Sequence, residues 1–445
     1  MKELTLKQIA DWCGGTVAPE YETVPVTGVE SDSRKVEVGD LFVALRGERV
    51  DGHDFIPSAK TLGASAALVS RPSEELPCVV VESPLRAYGE IAKHYREMTG
   101  VKVVGITGSV GKTTTKEMIA SVVSQRYRTL KTAENFNNDI GTPLTLLGLD
   151  DTYEAAVIET GMDHFGEIRY LGEMVRPHIA VITNIGDAHL EALGDRPGIL
   201  RAKSEILQGM GPDAVIFANG DDALLSAADF GRKTVLFGLG ENCAVRAADV
   251  RHCGESLSCC ILAGERSFPV TVPAYGTYMI YSVLAAAAVS LELGLSDAEI
   301  ARGLARYETV GRRSRVVKTG YCTLVDDCYN ANPTSDRAAI DSLASLSGRH
   351  VCILGDMLEM GGNAPELHRS VGEYAAAHGV DLVITQGELA KYIAEGAGTA
   401  GVHYADRASL LAALPELLHE GDVVLVKASH GAHFEEISEA VKQLS

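Results

Sequence analysis

The segment Val101–Lys116, VKVVGITGSVGKTTTK, constrains the fold more than any other part of this chain. Its opening run is mostly apolar, which is typical of a parallel strand that is covered on both faces. Gly108 and Gly111 predict a loop whose backbone N–H groups can surround an anion, and the residues from Lys112 onward predict a helix. We therefore expect an α/β fold with a mostly parallel sheet and a phosphate site at the end of this strand.

The residue types in this loop also predict what each position does. Lys112 can reach the β- and γ-phosphates of a nucleotide, and the Thr113 hydroxyl can ligate Mg²⁺. Ile106 stands six positions before Lys112, where the common form of the motif has a glycine, so the loop is a variant of that pattern. The predicted ATP-binding residues of the loop are Gly108, Ser109, Val110, Gly111, Lys112, Thr113 and Thr114.

Three more residues are candidate partners of the metal ion that accompanies a nucleotide. Glu159 ends an apolar strand and His189 follows another, so both are expected at the edge of the sheet where the phosphate loop lies. Lys203 lies on a predicted helix further along the chain. From the pattern alone each has an ordinary alternative: a solvated carboxylate, a hydrogen-bonded structural histidine and an exposed helix lysine.

Composition disfavours some classes of partner. The formal net charge is −20, which opposes binding to the phosphate backbone of a nucleic acid. No apolar run approaches the roughly 18 residues of a membrane span, so we expect no membrane partner. The nine cysteines form no C-x-x-C pair, and Met1–Cys13 is typical of an amphipathic helix without the apolar core of a signal peptide. We therefore expect a reducing, cytoplasmic location.

Length and rhythm predict three domains. A chain of 445 residues exceeds one ordinary core, which takes about 100–200 residues. We expect domains at residues 1–85, with short glycine-punctuated strands, at 86–310, around the phosphate loop, and at 311–445, with a second alternation of strands and helices. Within the central domain, Ala248–Val272 predicts short antiparallel edge strands, and Tyr278–Leu293 predicts an alanine-rich helix.

Taken together, these motifs resemble the Mur ligase family over nearly the whole chain. The phosphate loop, the asparagine-rich Asn135–Leu144 and the run Thr183–His189 are similar to the ATP-binding domain of that family. The most specific signals are Asp326–Pro333 (DDCYNANP) and Leu354–Gly361 (LGDMLEMG), which resemble the members that add D-alanyl-D-alanine. Further similar segments are Ser31–Arg34, Gly39–Gly47, Asp51–His53, Glu159–Gly161, Gly166–Ile168 and Ala202–Ile206.

The resemblance implies both a fold and a reaction. The fold is an N-terminal UDP-binding α/β domain, a central P-loop ATPase-like domain with a parallel sheet, and a C-terminal Rossmann-like domain. The reaction is ATP-dependent amide-bond formation, which joins D-alanyl-D-alanine to UDP-N-acetylmuramoyl-tripeptide through an acyl phosphate in peptidoglycan precursor synthesis. The implied cofactors are ATP, Mg²⁺ with room for a second Mg²⁺, and a CO2-derived carbamate on Lys203. We expect a monomer.

The resemblance also implies roles for individual residues. The implied catalytic residues are Lys112, Glu159, His189 and Lys203. The implied metal ligands are Thr113, Glu159, His189 and, when carbamylated, Lys203. Further ATP contacts are implied for Ser282, Arg312 and Asp327. Substrate contacts are implied for Ser31, Asp32, Arg34, Asn137, Asn138, Asn330 and Asn332.

Three positions depart from the family pattern, and two alternative functions stay open. Tyr278 and Ser282 replace polar residues expected near the adenine, and His430 replaces an arginine.

These changes are the support for one alternative, a non-catalytic nucleotide-binding module that would bind ATP without releasing phosphate. The other alternative is a sibling enzyme, either a diamino-acid-adding Mur ligase or a folylpolyglutamate synthase. Asp326–Pro333 argues against both siblings.

Overall fold

The first part of the chain forms a small α/β unit. The structure, a computed structural model, describes residues 1–253 and 255–444. The strands of this unit are β1 (Leu4–Thr5), β2 (Thr16–Val17), β3 (Pro25–Val26), β4 (Gly28–Glu30), β5 (Asp40–Val43), β6 (Ala66–Val69) and β7 (Cys78–Val80). Its helices are α1 (Leu6–Cys13), α2 (Ile56–Leu62) and α3 (Pro84–Glu97). Five strands form a sheet of order β2-β7-β6-β5-β4, and β1 pairs with β3 beside it.

Helix α1 shows how local sequence sets an element boundary. The Thr5 hydroxyl accepts a hydrogen bond from the Gln8 N–H, and the Gln8 side chain accepts one from the Thr5 N–H, so the helix begins at Leu6. Gly14, with φ of 64°, ends it. The helix predicted within Met1–Cys13 is confirmed from Leu6 to Cys13. The residues before the cap are not helical, however, because Leu4 and Thr5 pair with β3.

The central part is built on one large sheet. Its strands are β8 (Lys102–Thr107), β9 (Thr129–Lys131), β10 (Ala155–Glu159), β11 (Ile179–Ile182), β12 (Val215–Asn219), β13 (Thr234–Gly238), β14 (Val245–Cys253), β15 (Ser256–Ala263) and β16 (Arg266–Val272). Its helices are α4 (Lys112–Val123), α5 (Gly141–Leu147), α6 (Glu167–Val175), α7 (Leu190–Leu193), α8 (Arg196–Ser204), α9 (Ala223–Ala227), α10 (Met279–Glu292) and α11 (Asp297–Ala305). The predicted antiparallel edge is confirmed as β14, β15 and β16, while Gly254, which falls within that prediction, lies outside the described residues.

Strand order fixes where a site can form. Over the described residues the sheet runs β16-β15-β14-β13-β12-β11-β8-β10-β9. The chain leaves β8, returns on one side through β9 and β10, and then crosses to β11 on the other side. This reversal of strand order opens a crevice at the carboxyl ends of β8, β10 and β11, which is where parallel sheets bind ligands. The register confirms that these ends are level, since Glu159 lies opposite Ile106 and Ile182 opposite Thr107.

Helices cover both faces of the central sheet. On one face α4 and α10 pack together, and the alanines of α10 are buried, so the two helices approach closely. On the other face α3 and α5 join the apolar residues of the first sheet to those of β8 and β10 in one continuous core. The first unit and the central unit therefore share a hydrophobic core.

The last part is a second parallel α/β unit. Its strands are β17 (Arg315–Lys318), β18 (Thr323–Asp327), β19 (His350–Leu354), β20 (Leu382–Gln386), β21 (Gly401–Tyr404) and β22 (Val423–Lys427). Its helices are α12 (Pro333–Leu343), α13 (Ala364–Ala377), α14 (Lys391–Ala397), α15 (Arg407–Leu417) and α16 (Glu435–Lys442). The sheet order is β17-β18-β22-β19-β20-β21, parallel except for β17. In the described part of the chain, none of the helices has both the length and the apolar character that crossing a membrane requires.

Candidate active site

The phosphate loop joins β8 to α4 in a conformation that requires glycine. Gly108 has φ of 151° and Gly111 has φ of 80°. A Cβ on Gly108 would lie 1.8 Å from Thr183 Oγ1, so no larger residue fits there. Lys112 folds back over the loop, and its Nζ donates to the Gly108 carbonyl at 2.9 Å. The predicted strand, loop and helix are confirmed.

The segment after β11 holds this loop in shape. Thr183 Oγ1 donates to the Val110 carbonyl at 2.6 Å, and the Asn184 side chain accepts from the Val110 N–H and donates to its carbonyl, both at 3.0 Å. Ser109 Oγ accepts from the Gly186 N–H at 2.9 Å. We missed these supporting roles of Thr183 and Asn184 in the sequence, although their place directly after a strand of the same sheet was a usable signal.

Glu159 lies in the crevice beside the loop and is poised for a cation. Its carboxylate is buried, and Oε1 accepts from Asn137 Nδ2 at 2.8 Å. Lys116, a buried lysine that the sequence analysis did not single out, has its Nζ 3.9 Å from Glu159 Oε2. Within residues 1–253 and 255–444, Glu159 Oε2 and Thr113 Oγ1 are buried oxygens without a hydrogen-bond partner. Two such unsatisfied oxygens beside a phosphate loop fit the ligand set that Mg²⁺ prefers.

Lys203 is an unusual lysine because it is 1 % exposed. Burial, followed by the nearby charge of Lys112, lowers the pKa of Lys203 well below its ordinary value. Among the described residues its ammonium group makes no hydrogen bond or ion pair. Burial is also the main cause that lowers the pKa of Lys112, partly opposed by Glu159. Lys112 is therefore close enough to both Glu159 and Lys203 for their charges to interact. The alternative of an exposed helix lysine is wrong for Lys203, which is buried.

His189 lies at the same edge of the sheet and faces two carboxylates. Its Nδ1 is 2.7 Å from Glu359 Oε2 and 3.4 Å from Asp163 Oδ1. Glu359 belongs to the C-terminal unit, whereas Asp163 follows β10. These three side chains form the group among the described residues whose ligand atoms all lie within 4.8 Å of one another. The sequence analysis did not select Asp163 or Glu359, because nothing in the sequence links them to His189.

The further residues implied to contact ATP are tied into the protein. Ser282 Oγ lies 2.9 Å from Thr115 Oγ1, which links α10 to α4. Arg312 donates to Asp326 at 2.7 Å and to Glu439 at 2.8 Å. Asp327 accepts from the Ser314 N–H at 2.8 Å and from Lys427 Nζ at 2.6 Å.

Arg313, the neighbour of Arg312, is placed differently. Its guanidinium lies 3.7 Å above the ring of Tyr329, and its charge contributes to the lowered pKa of Lys112. His430 stacks on the same tyrosine with ring centroids 5.5 Å apart. Of the two neighbouring arginines, Arg313 is therefore the one whose charge acts on Lys112 of the phosphate loop. The sequence pointed to Arg312 instead.

The asparagines implied to bind substrate make different contacts. Asn137 reaches the Glu159 carboxylate. Asn332 caps α12, since its Oδ1 accepts from the Ser335 N–H at 2.9 Å. Asn138 Oδ1 accepts from the N–H of Gly141, the first residue of α5, also at 2.9 Å. The Asn330 carbonyl accepts from Lys427 Nζ at 2.8 Å.

The N-terminal candidates lie after β4, away from the loop. Arg34 donates to both oxygens of Asp32, at 2.8 and 2.7 Å, and its side chain is 85 % exposed. This pairing lowers the pKa of Asp32 to about 2. The Ser31 N–H donates to Glu30 Oε1 at 2.8 Å. An exposed arginine here is free to exchange its partner for an anionic ligand.

A P-loop nucleotide-binding α/β enzyme is the class of protein that this fold and this site define. Comparison with known families then gives a narrower assignment. Family profiles match residues 25–109 (Mur ligase family, catalytic domain), 106–290 (Mur ligase middle domain) and 311–430 (Mur ligase, glutamate ligase domain). The chain belongs to the Mur ligase family.

Its relatives include ligases of one particular kind. The UDP-N-acetylmuramoyl-tripeptide–D-alanyl-D-alanine ligase of Bacillus subtilis is 39% identical, with 98% of each chain covered. The protein of that name from Escherichia coli is 38% identical over 100% of this chain and 99% of its own. Among solved structures, MurF from Acinetobacter baumannii has a TM-score of 0.93 at 33% identity, with 99% of both chains covered. MurF ligase from Thermotoga maritima in complex with ADP has a TM-score of 0.85 at 30% identity, covering 94% of this chain and 97% of that one.

Proposed function

We propose that this protein uses ATP to join D-alanyl-D-alanine to UDP-N-acetylmuramoyl-tripeptide, and that it works in the synthesis of peptidoglycan precursors. The observation that carries this proposal is the end-to-end similarity to ligases of that name, at 38–39% identity, in a chain that keeps the phosphate loop, Glu159 and a buried Lys203 together. A folylpolyglutamate synthase shares the fold at 16% identity, and a likeness at that level is no support for the synthase activity in this chain.

The chemistry follows from the weakness of a carboxylate as an acyl donor. The terminal carboxylate of the tripeptide attacks the γ-phosphorus of ATP, which forms an acyl phosphate and releases ADP. The amine of D-alanyl-D-alanine then attacks the acyl carbon, the amide bond forms, and inorganic phosphate leaves with the electron pair of the broken C–O bond. Lys112 binds the phosphates, and the backbone of Gly108–Gly111 orients them for in-line transfer. Closure of the C-terminal domain protects the acyl phosphate from water.

Thr113, Glu159 and His189 would hold Mg²⁺, and carbamylated Lys203 would complete the set. The support is the unsatisfied Thr113 Oγ1 and Glu159 Oε2 in the described structure. When bound, Mg²⁺ screens the repulsion between the attacking carboxylate and the phosphates. A second Mg²⁺ would be held in the same crevice.

Lys203 is suited to carbamylation because burial favours the neutral form of its amine. A neutral amine attacks CO2, forms the N–C bond and releases one proton, which converts a buried base into an anionic ligand. The lowered pKa of Lys203 supports this role, as does the lack of a hydrogen bond or ion pair to its amine within residues 1–253 and 255–444.

The rest of the chain completes the proposal. Ser31, Asp32 and Arg34 would bind the uridine diphosphate end, and Asn137, Asn138, Asn330 and Asn332 the region where the peptide and D-alanyl-D-alanine meet. Ser282, Arg312 and Asp327 would lie near the nucleotide. The domains would be 1–85, 86–310 and 311–445, in a cytoplasmic monomer.

Phosphate release tests the function directly. The purified protein is given ATP, Mg²⁺, UDP-N-acetylmuramoyl-tripeptide and D-alanyl-D-alanine, and each component is omitted in turn. We expect release only with all four, and loss of release in Lys112→Ala but not in Lys233→Ala, whose lysine lies on the same domain in an exposed ion pair with Glu292. Release with a different amino acid in place of D-alanyl-D-alanine would assign a sibling activity. ATP binding without release under any condition would contradict the proposal in favour of a non-catalytic module.

A further inference from the structure

Two segments of the C-terminal unit meet one segment of the central unit. Thr334, the residue that follows the first signature Asp326–Pro333, donates from Oγ1 to Asp187 Oδ2 at 3.2 Å. Glu359, from the second signature, lies 2.7 Å from His189 Nδ1. Both partners belong to the four residues Gly186–His189, which we call the docking segment. The docking segment directly follows the strand end that supports the phosphate loop.

Both members of the Glu359–His189 pair have a strained backbone. Each has φ of 62°, a left-handed conformation that side-chain-bearing residues adopt infrequently. Such conformations persist when surrounding contacts enforce them, and they cluster at functional sites. Gly361 lies close by, where a Cβ would come within 3.4 Å of Glu191. The two units are therefore fitted closely at this point.

The contact is selective for one nitrogen of the imidazole. Nδ1 is buried, and Glu359 Oε2 lies 2.7 Å from it in a close contact that is not aligned as a hydrogen bond in this structure. The Glu359 side chain is 56 % exposed, so it can rotate into alignment. With Nδ1 engaged by a carboxylate, Nε2 is the nitrogen that stays available to a metal ion.

A carboxylate on the second nitrogen is a recurrent feature of metal-binding histidines. It fixes the tautomer and the ring orientation, and it raises the basicity of the ligating nitrogen. Asp163 could act in this way from within the central unit, but its oxygen is farther from Nδ1, at 3.4 Å. The closer carboxylate comes from the other domain.

We infer that Glu359 is a positioning residue, which orients His189 for metal binding only when the C-terminal domain is docked on the central domain. The inference rests on the proposed role of His189 as a metal ligand. It makes completion of the metal site depend on domain closure, so that the acyl phosphate forms only in a site that already excludes water.

Metal binding, measured apart from activity, tests this role. Mn²⁺ is titrated as a spectroscopic substitute for Mg²⁺ into enzyme that holds a non-hydrolysable ATP analogue and UDP-N-acetylmuramoyl-tripeptide. Glu359→Ala should weaken Mn²⁺ binding by about 10–100-fold. Glu359→Gln should recover part of that loss, because its amide oxygen still accepts from the Nδ1–H. Affinity for the ATP analogue without metal and the unfolding temperature should stay at wild-type values in both variants.

The matched control is Glu373→Gln, which removes one exposed carboxylate from the same domain. Unchanged Mn²⁺ affinity in Glu359→Ala, or an equal loss in the control, would overturn the inference. So would Mn²⁺ binding to nucleotide-free enzyme that both Glu359→Ala and Asp163→Asn abolish, since Glu359 would then be a direct ligand. Failure of the proposed function is distinguishable, because the wild-type enzyme itself would then release no phosphate.

Discussion

At the scale of single residues, buried charge distinguishes the site from the rest of the sheet. Lys116 and Lys203 are both almost fully buried, but their ammonium groups differ in the polar partners that surround them. Lys116 donates to the Thr132 carbonyl at 2.7 Å and lies 3.1 Å from Glu117, so its charge is compensated. Lys203 has no such partner in the described structure. A buried lysine without a compensating partner destabilises the folded state, so its retention indicates a role in function.

Lys203→Met should therefore separate stability from activity. Methionine has a similar length without a charge, so we expect an equal or higher unfolding temperature. Phosphate release should fall by about 100-fold or more, since the side chain can neither bind CO2 nor ligate a metal. Calorimetry and the phosphate assay measure the two effects, with Lys233→Met as control. Activity within a few-fold of wild type would remove Lys203 from the mechanism.

Asp336 predicts a pH dependence of stability in the C-terminal unit. This carboxyl is 1 % exposed, and burial raises its pKa to about 7, although Lys427 opposes the shift. A raised pKa means that the folded state holds its proton more tightly than the unfolded state. The stabilisation is complete below about pH 4 and is lost as the pH rises towards 7, by on the order of a few kcal/mol.

The isosteric variant Asp336→Asn should remove this dependence. Because an amide does not titrate, the free energy of unfolding should change less between pH 4 and pH 7 than in the wild type, and the variant should be the more stable form above pH 7. Urea unfolding at a series of pH values measures the difference. Parallel pH profiles for the two proteins would show that Asp336 is ionised in both states.

At the scale of elements, the phosphate loop joins β8 to α4 and is held by the segment that follows β11. Its geometry depends on Gly108 and on contacts from Thr183 and Asn184, which are far away in the sequence. A side chain at position 108 would push the loop off β11 rather than simply fill space.

Gly108→Ala should thus damage nucleotide binding more than stability. The added methyl group must displace Thr183 Oγ1, which supports the Val110 carbonyl, so we expect ATP affinity to fall by at least about tenfold and stability by about 1–3 kcal/mol. Gly100→Ala is the matched control, since its Cβ would have no atom within 4 Å. Calorimetric titration with ATP measures the affinity. Equal effects of the two substitutions would argue against a loop that requires glycine.

Elements with strong local patterns were predictable, whereas contacts across the fold were not. The strand, loop and helix of Val101–Lys116 and the alanine-rich α10 are confirmed close to their predicted bounds. The edge strand β21 and the short helix α14 were missed, because half-exposed segments have no clear apolar period. Glu159 could be proposed from its position at a strand end. Glu359 could not, because only the docking of two domains brings it to His189.

At the scale of the whole molecule, the three units are not equally independent. One core cluster contains residues of the first unit, of α3 and of the central sheet, including Leu6, Tyr95 and Ala156. Tyr95 also links the two units by hydrogen bonds, accepting from the Lys2 N–H at 2.7 Å and donating to the Leu149 carbonyl at 2.5 Å. The core clusters of the C-terminal unit are formed by its own residues, with the addition of Tyr275.

Thermal unfolding should accordingly show two transitions. The first and central units should unfold together, since neither can expose its half of the shared core alone, and the C-terminal unit should unfold separately. Differential scanning calorimetry at pH 8 checks this, and Asp336→Asn should shift the C-terminal transition without moving the other. A single transition, or a separate one for residues 1–85, would contradict this division.

The shared core also has a consequence for how the chain folds during its synthesis. Leu4, Leu6 and Ile9 leave the ribosome well before Leu146 and Val175, which belong to the cluster that buries them. The nascent N-terminal part must wait with an incomplete apolar face until those later segments emerge. Translation speed and chaperone binding over residues 100–175 are then expected to affect the yield of this protein more than any event near its C-terminus.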